Sequence, residues 1–302
     1  MIARRLVQII VTTALLSAVA FWLMAAMPGD PIDLALAADP RLTLEDAARL
    51  RALHGLDRPV GARYLAWIGA VLEGRLGHSR LFAQPVASLL GPALLSTLEL
   101  LGMALALAVA VGVALGGLAA LRPRLAPAVQ GLALVGQALP GFWLGILLII
   151  VFAVGLGWLP AGGVEGGWRG LVLPVATLAL AHLAAYARHA ASAIGLALGE
   201  PHIRTARARG AGEGRVLWQH AAPNAAVPLL AVLALDVGGL VSGALITETV
   251  FARPGMGKLI YDAVMGNDSN LALLALLVVS LGTMLATLGA DLLQRWLDPR
   301  LA

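Results

Sequence analysis

The sequence predicts an all-α polytopic membrane protein with six transmembrane helices and both termini in the cytoplasm. Three observations lead there. Apolar residues make up 60% of the chain and charged residues 13%, about half the ~25% usual in soluble domains, and the mean hydropathy is +0.87. Six apolar runs reach or approach the ~20 residues that cross a hydrocarbon core. Arg4 and Arg5, Arg122 and Arg124, the basic stretch at 200–220, Arg295 and Arg300 all fall on one side of those runs, and the positive-inside bias makes that side the cytoplasm. The net charge of +4 has the same origin. No basic patch is interleaved with aromatics, so the lipid bilayer and not a nucleic acid is the expected partner. The chain has no cysteine, which excludes disulfides, cysteine-ligated zinc and thiol nucleophiles.

The chain reads as one transmembrane domain over 1–302. Its first run, Leu6–Met27, follows Arg4 and Arg5 as a signal peptide would. It is longer than the ~7–15 residues of a cleaved apolar region, so a retained anchor is expected. Segment 28–91 is extracytoplasmic in this reading and neutral, with seven basic and seven acidic residues. Within it Thr43 and Asp46 form a capping-box pattern, opening a helix that Gly55 closes. Val60, Tyr64, Trp67, Ile68 and Val71 recur at helical spacing, which predicts an amphipathic helix along the outer surface. The next runs are Leu94–Leu121 and Leu125–Val154. Leu171–Ala187, extending toward Leu198, follows a glycine-rich outside loop. Ala225–Ile246 and Leu271–Ala290 complete the six. Four GxxxG pairs (Gly112/Gly116, Gly141/Gly145, Gly195/Gly199, Gly239/Gly243) would let helices approach closely. Thirty-five glycines in 302 residues give about four such pairs by chance, so they point to no particular interface.

Between the fourth and fifth runs lies EPHIRTARARGAGEGRVLWQHAAPNAAVP, residues 200–228, with the densest basic cluster of the chain. Arg204, Arg207, Arg209 and Arg215 face only Glu200 and Glu213. Pro201 suits the first helical position, and Gly210 suits the left-handed residue that ends a helix. After Gly212-Glu213-Gly214 a second short helix is expected from Arg215 to about Ala222, stopped by Pro223. Arginines gather in cytoplasmic loops simply to orient a chain, but orientation does not need helices framed by proline and glycine. A rigid basic helix pair below the membrane reads as a docking surface for a soluble partner.

The polar residues counted within the spans are Glu99, Gln130, Gln137, His182 and Asp236. A carboxylate near mid-span, as Asp236 is, is expensive unless it faces a cavity or a partner. Two readings stand: it lines a hydrated pathway and touches a cationic group of a solute, or it is a hydrogen-bonded strut between helices. Glu99, near a span end, and His182, alone on an apolar face, read as structural. The string Pro254-Gly255-Met256-Gly257-Lys258 looks like the end of a phosphate-binding loop. It fails, because Ala252 stands where the first glycine belongs and no Ser or Thr follows the lysine. If ATP hydrolysis is used, another subunit must supply it. An intramembrane protease is disfavoured: Asp262 and Asp291 fall on opposite sides and cannot share a proton, and no GxSG or HExxH motif is present. A passive channel has no use for a docking helix pair.

Several strings together resemble a known family. They are MPGDP at 27–31, GLDRPV at 55–60 with a tyrosine at 64, TLEL at 97–100, LPGFWLG at 139–145, GWLPAGG at 157–163, IRTARARG at 203–210, ETVFARPGMGKL at 248–259 and LDPRL at 297–301. Over almost its whole length the chain resembles the inner-membrane permease subunit of binding-protein-dependent ABC importers, in the dipeptide/oligopeptide/nickel branch. The resemblance implies the type I importer permease fold in the bacterial cytoplasmic membrane. The 200–223 segment resembles the family's EAA loop, whose coupling helix enters a cleft of the ATPase. On this chain the pattern falls on Arg204, Thr205, Ala206 and Gly210, then His220, Ala222 and Pro223, and Arg207 lies on the same helix. Arg75 in GRLG and Asn267-Asp268-Ser269-Asn270 depart from the branch's usual residues. The implied partners are a second homologous permease subunit, two ATP-binding subunits and an extracytoplasmic solute-binding protein. ATP and magnesium are expected on the ATPase subunits, and no catalytic residue, metal or cofactor on this chain. Di- and oligopeptides are the first expectation for substrate; nickel, a metal chelate and glutathione are the alternatives.

Overall fold

The computed structural model describes residues 2–27, 43, 45–46, 49, 52, 57–164 and 166–297, which are almost entirely helical. Gly55, Arg300 and most of the MPGDP and LDPRL strings lie outside the described residues. The principal helices are α1 (Ile2–Ala25), α2 (Val60–Leu72), α3 (Val86–Leu121), α4 (Ala126–Ala138), α5 (Gly141–Leu148), α6 (Arg169–Leu198), α7 (Pro201–Ala208), α8 (Ala222–Val250), α9 (Met256–Met265) and α10 (Ser269–Leu297). Among the described residues α1, α3, α6 and α10 are long and apolar enough to cross a membrane, and the bent pair α4–α5 makes a fifth if it is one span. The apolar run 225–246 lies inside the 29-residue α8. Close contacts divide the chain into two compact units, residues 1–94 with 259–282 and residues 95–258 with 283–302.

In the first unit the apolar face expected of α2 is turned against α1. Phe21 lies 5.5 Å from the ring of Tyr64 and 5.8 Å from that of Trp67, and the Tyr64 hydroxyl is 2.9 Å from Ser17 Oγ. The polar string 267–270 holds the loop after α2. Buried Asp268 accepts through Oδ2 from Ser79 Oγ at 2.6 Å and Leu81 N at 3.0 Å, and through Oδ1 caps α10 at Leu271 N. Asn270 accepts from Trp67 Nε1 and donates to the Leu76 carbonyl. Thr43 and Asp46 exchange the reciprocal bonds of a capping box, and those bonds hold the Asp46 carboxyl below its usual range.

The second unit is built round α6, which buries 15 of its 30 residues. Small residues let its neighbours approach. A Cβ on Gly112 or Gly116 of α3 would stand 2.8 Å from Tyr186 Cβ or 2.5 Å from the Ala187 carbonyl oxygen. The first GxxxG pair is therefore a genuine crossing point, although counting alone could not single it out.

Two expectations are corrected. The third run, 125–154, is not one straight helix: α4 and α5 meet at 96°. Pro140 causes the break, since it drives the preceding Leu139 into the extended region (φ −86°, ψ 126°) and has no N–H to carry a helix through. Pro223 does not stop a helix. The chain turns helically at Glu213–Arg215, widens into π-helical turns over Val216–Ala221 and enters α8 with Pro223 in its first turn. Pro223 thus falls where the i→i+5 bonding of the π turns, whose last bond runs from Ala222 N to the Leu217 carbonyl, gives way to α8, inside a continuous helical path.

Candidate functional site

Loop 200–223 is a small rigid body. Glu200 is extended (φ −65°, ψ 147°), Pro201 opens α7, and Gly210 closes it at φ +83°. The closure is a Schellman motif: Gly210 N donates to the Arg207 carbonyl at 2.9 Å and Ala211 N to the Ala206 carbonyl at 3.1 Å, and only glycine takes that backbone without strain. Ile203 is completely buried and packs among Ile194, Ala197, Val216, Ala221 and Ala225, which anchors α7 beneath α6 and α8. Arg204, Thr205, Arg207 and Arg209 are left exposed on the other side, Ala206 is half-buried, and Pro223 is exposed.

A second closure was not visible in the sequence. Arg207 grips Glu213 with both ends of its guanidinium, Nε to Oε1 and Nη2 to Oε2, each at 2.9 Å. This forked pair spans the glycine turn and fixes α7 against the helical turn that follows. Hydrogen bonding to Arg207 holds the Glu213 carboxyl below its usual range and raises the guanidinium above its own. Beyond the pair Trp218 stands 67% exposed. An aromatic ring in a basic, non-membrane stretch was the signal available for it.

Asp236 is not alone in its helix bundle. Its Oδ2 accepts from the Tyr186 hydroxyl at 2.7 Å and lies 2.8 Å from His182 Nδ1. His182 and Tyr186 are one turn apart on α6 and so present to the same side. The histidine that reads as isolated on an apolar face is thus a partner of the mid-span carboxylate. Among the described residues no group of three metal-ligating side chains comes together.

A third polar cluster lies in the ETVFARPGMGKL string. Glu248, fully buried, accepts from Thr97 Oγ1 at 2.5 Å and from Gly257 N at 2.7 Å, while Met256 N donates to Thr97 Oγ1 at 2.8 Å. A carboxylate thus holds the N-terminus of α9, where free N–H groups and the helix dipole favour negative charge. Arg253 Nη2 donates to Glu99 Oε2 at 2.5 Å, so Glu99 is a strut of the same corner. The glycines of this string are there for close approach. A Cβ at Gly255 would lie 2.2 Å from the Glu248 carboxyl, and one at Gly257 2.3 Å from Leu245 Cα.

Comparison with known proteins gives the context of these clusters. Residues 82–302 match the family described as binding-protein-dependent transport system inner membrane component, and residues 1–92 match the N-terminal part of such membrane components. The chain is 33% identical over 293 residues to the oligopeptide transport system permease protein AppB of Bacillus subtilis, covering 93% of this chain and 92% of the relative. It is 33% identical over 332 residues to the di/tripeptide transport system permease protein DppB of Pseudomonas aeruginosa, covering 99% and 98%. With nearly its whole length matched in this way, the chain belongs to the inner-membrane component family of binding-protein-dependent transport systems, as a multi-pass permease of the ABC importer class.

Proposed function

We propose that this chain forms one half of the translocation pathway of an ATP-driven importer of di- and oligopeptides, and that loop 200–223 couples it to the ATPase. The observation that carries the coupling is the construction of α7. It is anchored by one buried residue, closed by one left-handed glycine and stapled by one forked ion pair, with its cationic face outward. A loop that only oriented the chain would need none of these. Peptide as substrate rests on the names of the relatives, which are oligopeptide and di/tripeptide permeases. In this reading the chain crosses the membrane six times with both termini in the cytoplasm, and 1–302 works as one permease domain. It pairs with a second homologous permease, two ATPase subunits that hold ATP and magnesium, and an extracytoplasmic solute-binding protein. Closing of the ATPases moves Arg204, Thr205, Ala206 and Arg207 as one body, with Gly210 and Pro223 at its edges. Asp236 belongs to the pathway.

Gly210→Val tests the coupling. The spans are untouched, so the variant inserts and pairs with its partner permease. It is expected to lose uptake and either to shed the ATPases on purification or to leave their hydrolysis in vesicles unresponsive to loaded binding protein. Normal uptake with normal stimulated hydrolysis would reduce the loop to an orienting device.

A further inference from the structure

A groove of ≈570 Å³ opens between the end of α6, α7 and the start of α8, with His189 and Leu196 on one wall and Asn224, Pro228 and Val232 on the other. Both rows continue toward the Asp236 cluster. On α6, Leu196, His189 and His182 are spaced by seven residues, close to two full turns. On α8, Asn224, Pro228 and Val232 are spaced by four, and the next member of that row is Asp236. The carboxylate therefore stands one turn beyond the groove, about 6 Å further along the helix axis.

Its two oxygens are differently employed. Oδ2 takes both the His182 and the Tyr186 contacts, whereas among the described residues nothing donates to Oδ1. Asp236 keeps a quarter of its side chain exposed (25%) and His182 keeps 14%. Gly238 and Gly239 are exposed, and a Cβ on Gly239 would come within 3.0 Å of Oδ1. The bare backbone one turn above thus leaves a carboxylate oxygen open, while two side chains of α6 fix its direction. An open carboxylate oxygen in an apolar helix is a place for a small cation with several N–H donors.

We propose that Asp236 Oδ1 receives the α-ammonium of the transported peptide at the head of this groove, with His182 and Tyr186 as positioning residues. The proposal rests on the peptide reading above and adds the chemical group that is recognised. Binding the ammonium neutralises the carboxylate while its other hydrogen bonds stay made.

The test uses the complete transporter in vesicles with its binding protein saturated. The probes are dialanine to pentaalanine, each with its des-amino counterpart, and a des-amino alanine peptide that carries a lysine. In the wild type the amino forms are imported about tenfold faster than the des-amino forms, the ratio one charge-assisted hydrogen bond supports. Asp236→Asn brings the ratio near one, with the ATPase subunits still co-purifying. Gly239→Ala, which crowds Oδ1 without removing charge, lowers the ratio in the same direction. An equal fall for both forms, or an unchanged ratio, overturns the assignment in favour of a strut. Dependence on Asp236 that appears only with the lysine peptide assigns the site to a side-chain cation and overturns the α-ammonium. Wild-type vesicles that import none of the probes overturn the peptide reading, and the subsite with it.

Discussion

A methyl group at Gly255 would collide with the Glu248 carboxyl, and one at Gly257 with the backbone of α8 at Leu245. Gly255→Ala and Gly257→Ala are therefore expected each to destabilise the protein by about 1–3 kcal/mol, the usual cost of overpacking a filled site. The melting temperature of the purified permease complex in detergent reports it. Single residues also set a pH dependence in the loop. Hydrogen bonds from Arg207 hold the Glu213 carboxyl below its usual range, so the pair stabilises the loop above the ordinary glutamate range. The contribution is lost as pH falls through the lowered value, and Arg207 stays charged throughout. Hydrogen-exchange protection of residues 209–213 should exceed that of Glu213→Gln at neutral pH, the difference vanishing only below about pH 4. The sequence showed the backbone logic of this loop well, because Pro201 and Gly210 act through their own φ angles. It could not show the partners of Arg207 and Asp236. A bond across a glycine turn, or one between residues 54 apart in the chain, follows no helical period.

Helices bring a different balance, since a glycine inside one costs propensity and is kept only where a neighbour needs the space. On α3 the two cases sit on one element. Nothing lies within 4 Å of a Cβ added at Gly102, whereas one at Gly116 meets the Ala187 carbonyl and Ala190 Cβ at 2.5 and 2.6 Å. Gly102→Ala is expected to stabilise by about 0.5–1 kcal/mol. Gly116→Ala is expected to destabilise by about 1–3 kcal/mol. Opposite shifts in melting temperature on the same helix would verify that the crossing at Gly116 is tight. Hydropathy located the apolar runs because burial in lipid or protein imposes it on whole stretches. It was blind to the corner at Leu139–Pro140, where two apolar helices meet without any loss of hydropathy. Proline itself was ambiguous: Pro140 breaks a run and Pro223 begins one, and only the hydrogen bonds around each decide.

For the whole molecule the expected topology can be read directly, because the chain has no cysteine of its own. His78→Cys, exposed in the loop after α2, is expected to react with a membrane-impermeant thiol reagent from outside the cell. Arg209→Cys should react only in inside-out vesicles. Labelling of position 78 from the cytoplasmic side alone would invert the arrangement proposed here. The wide turns at Val216–Ala221 bear on the mechanics of the whole. From Glu213 to Val250 the backbone never leaves the helical state, so the far arm of the loop and the helix of Asp236 form one rod, with Pro228 inside it as a point of weakened bonding. Asp236 lies about 21 Å up that rod from Ala222. In the coupling proposed for this loop, a thrust at the glycine turn would reach the carboxylate along that rod, past the hydrogen bond missing at Pro228. The π turns at its foot have i→i+5 bonds that can revert to i→i+4, so in that coupling part of a push from below would arrive at Asp236 as rotation.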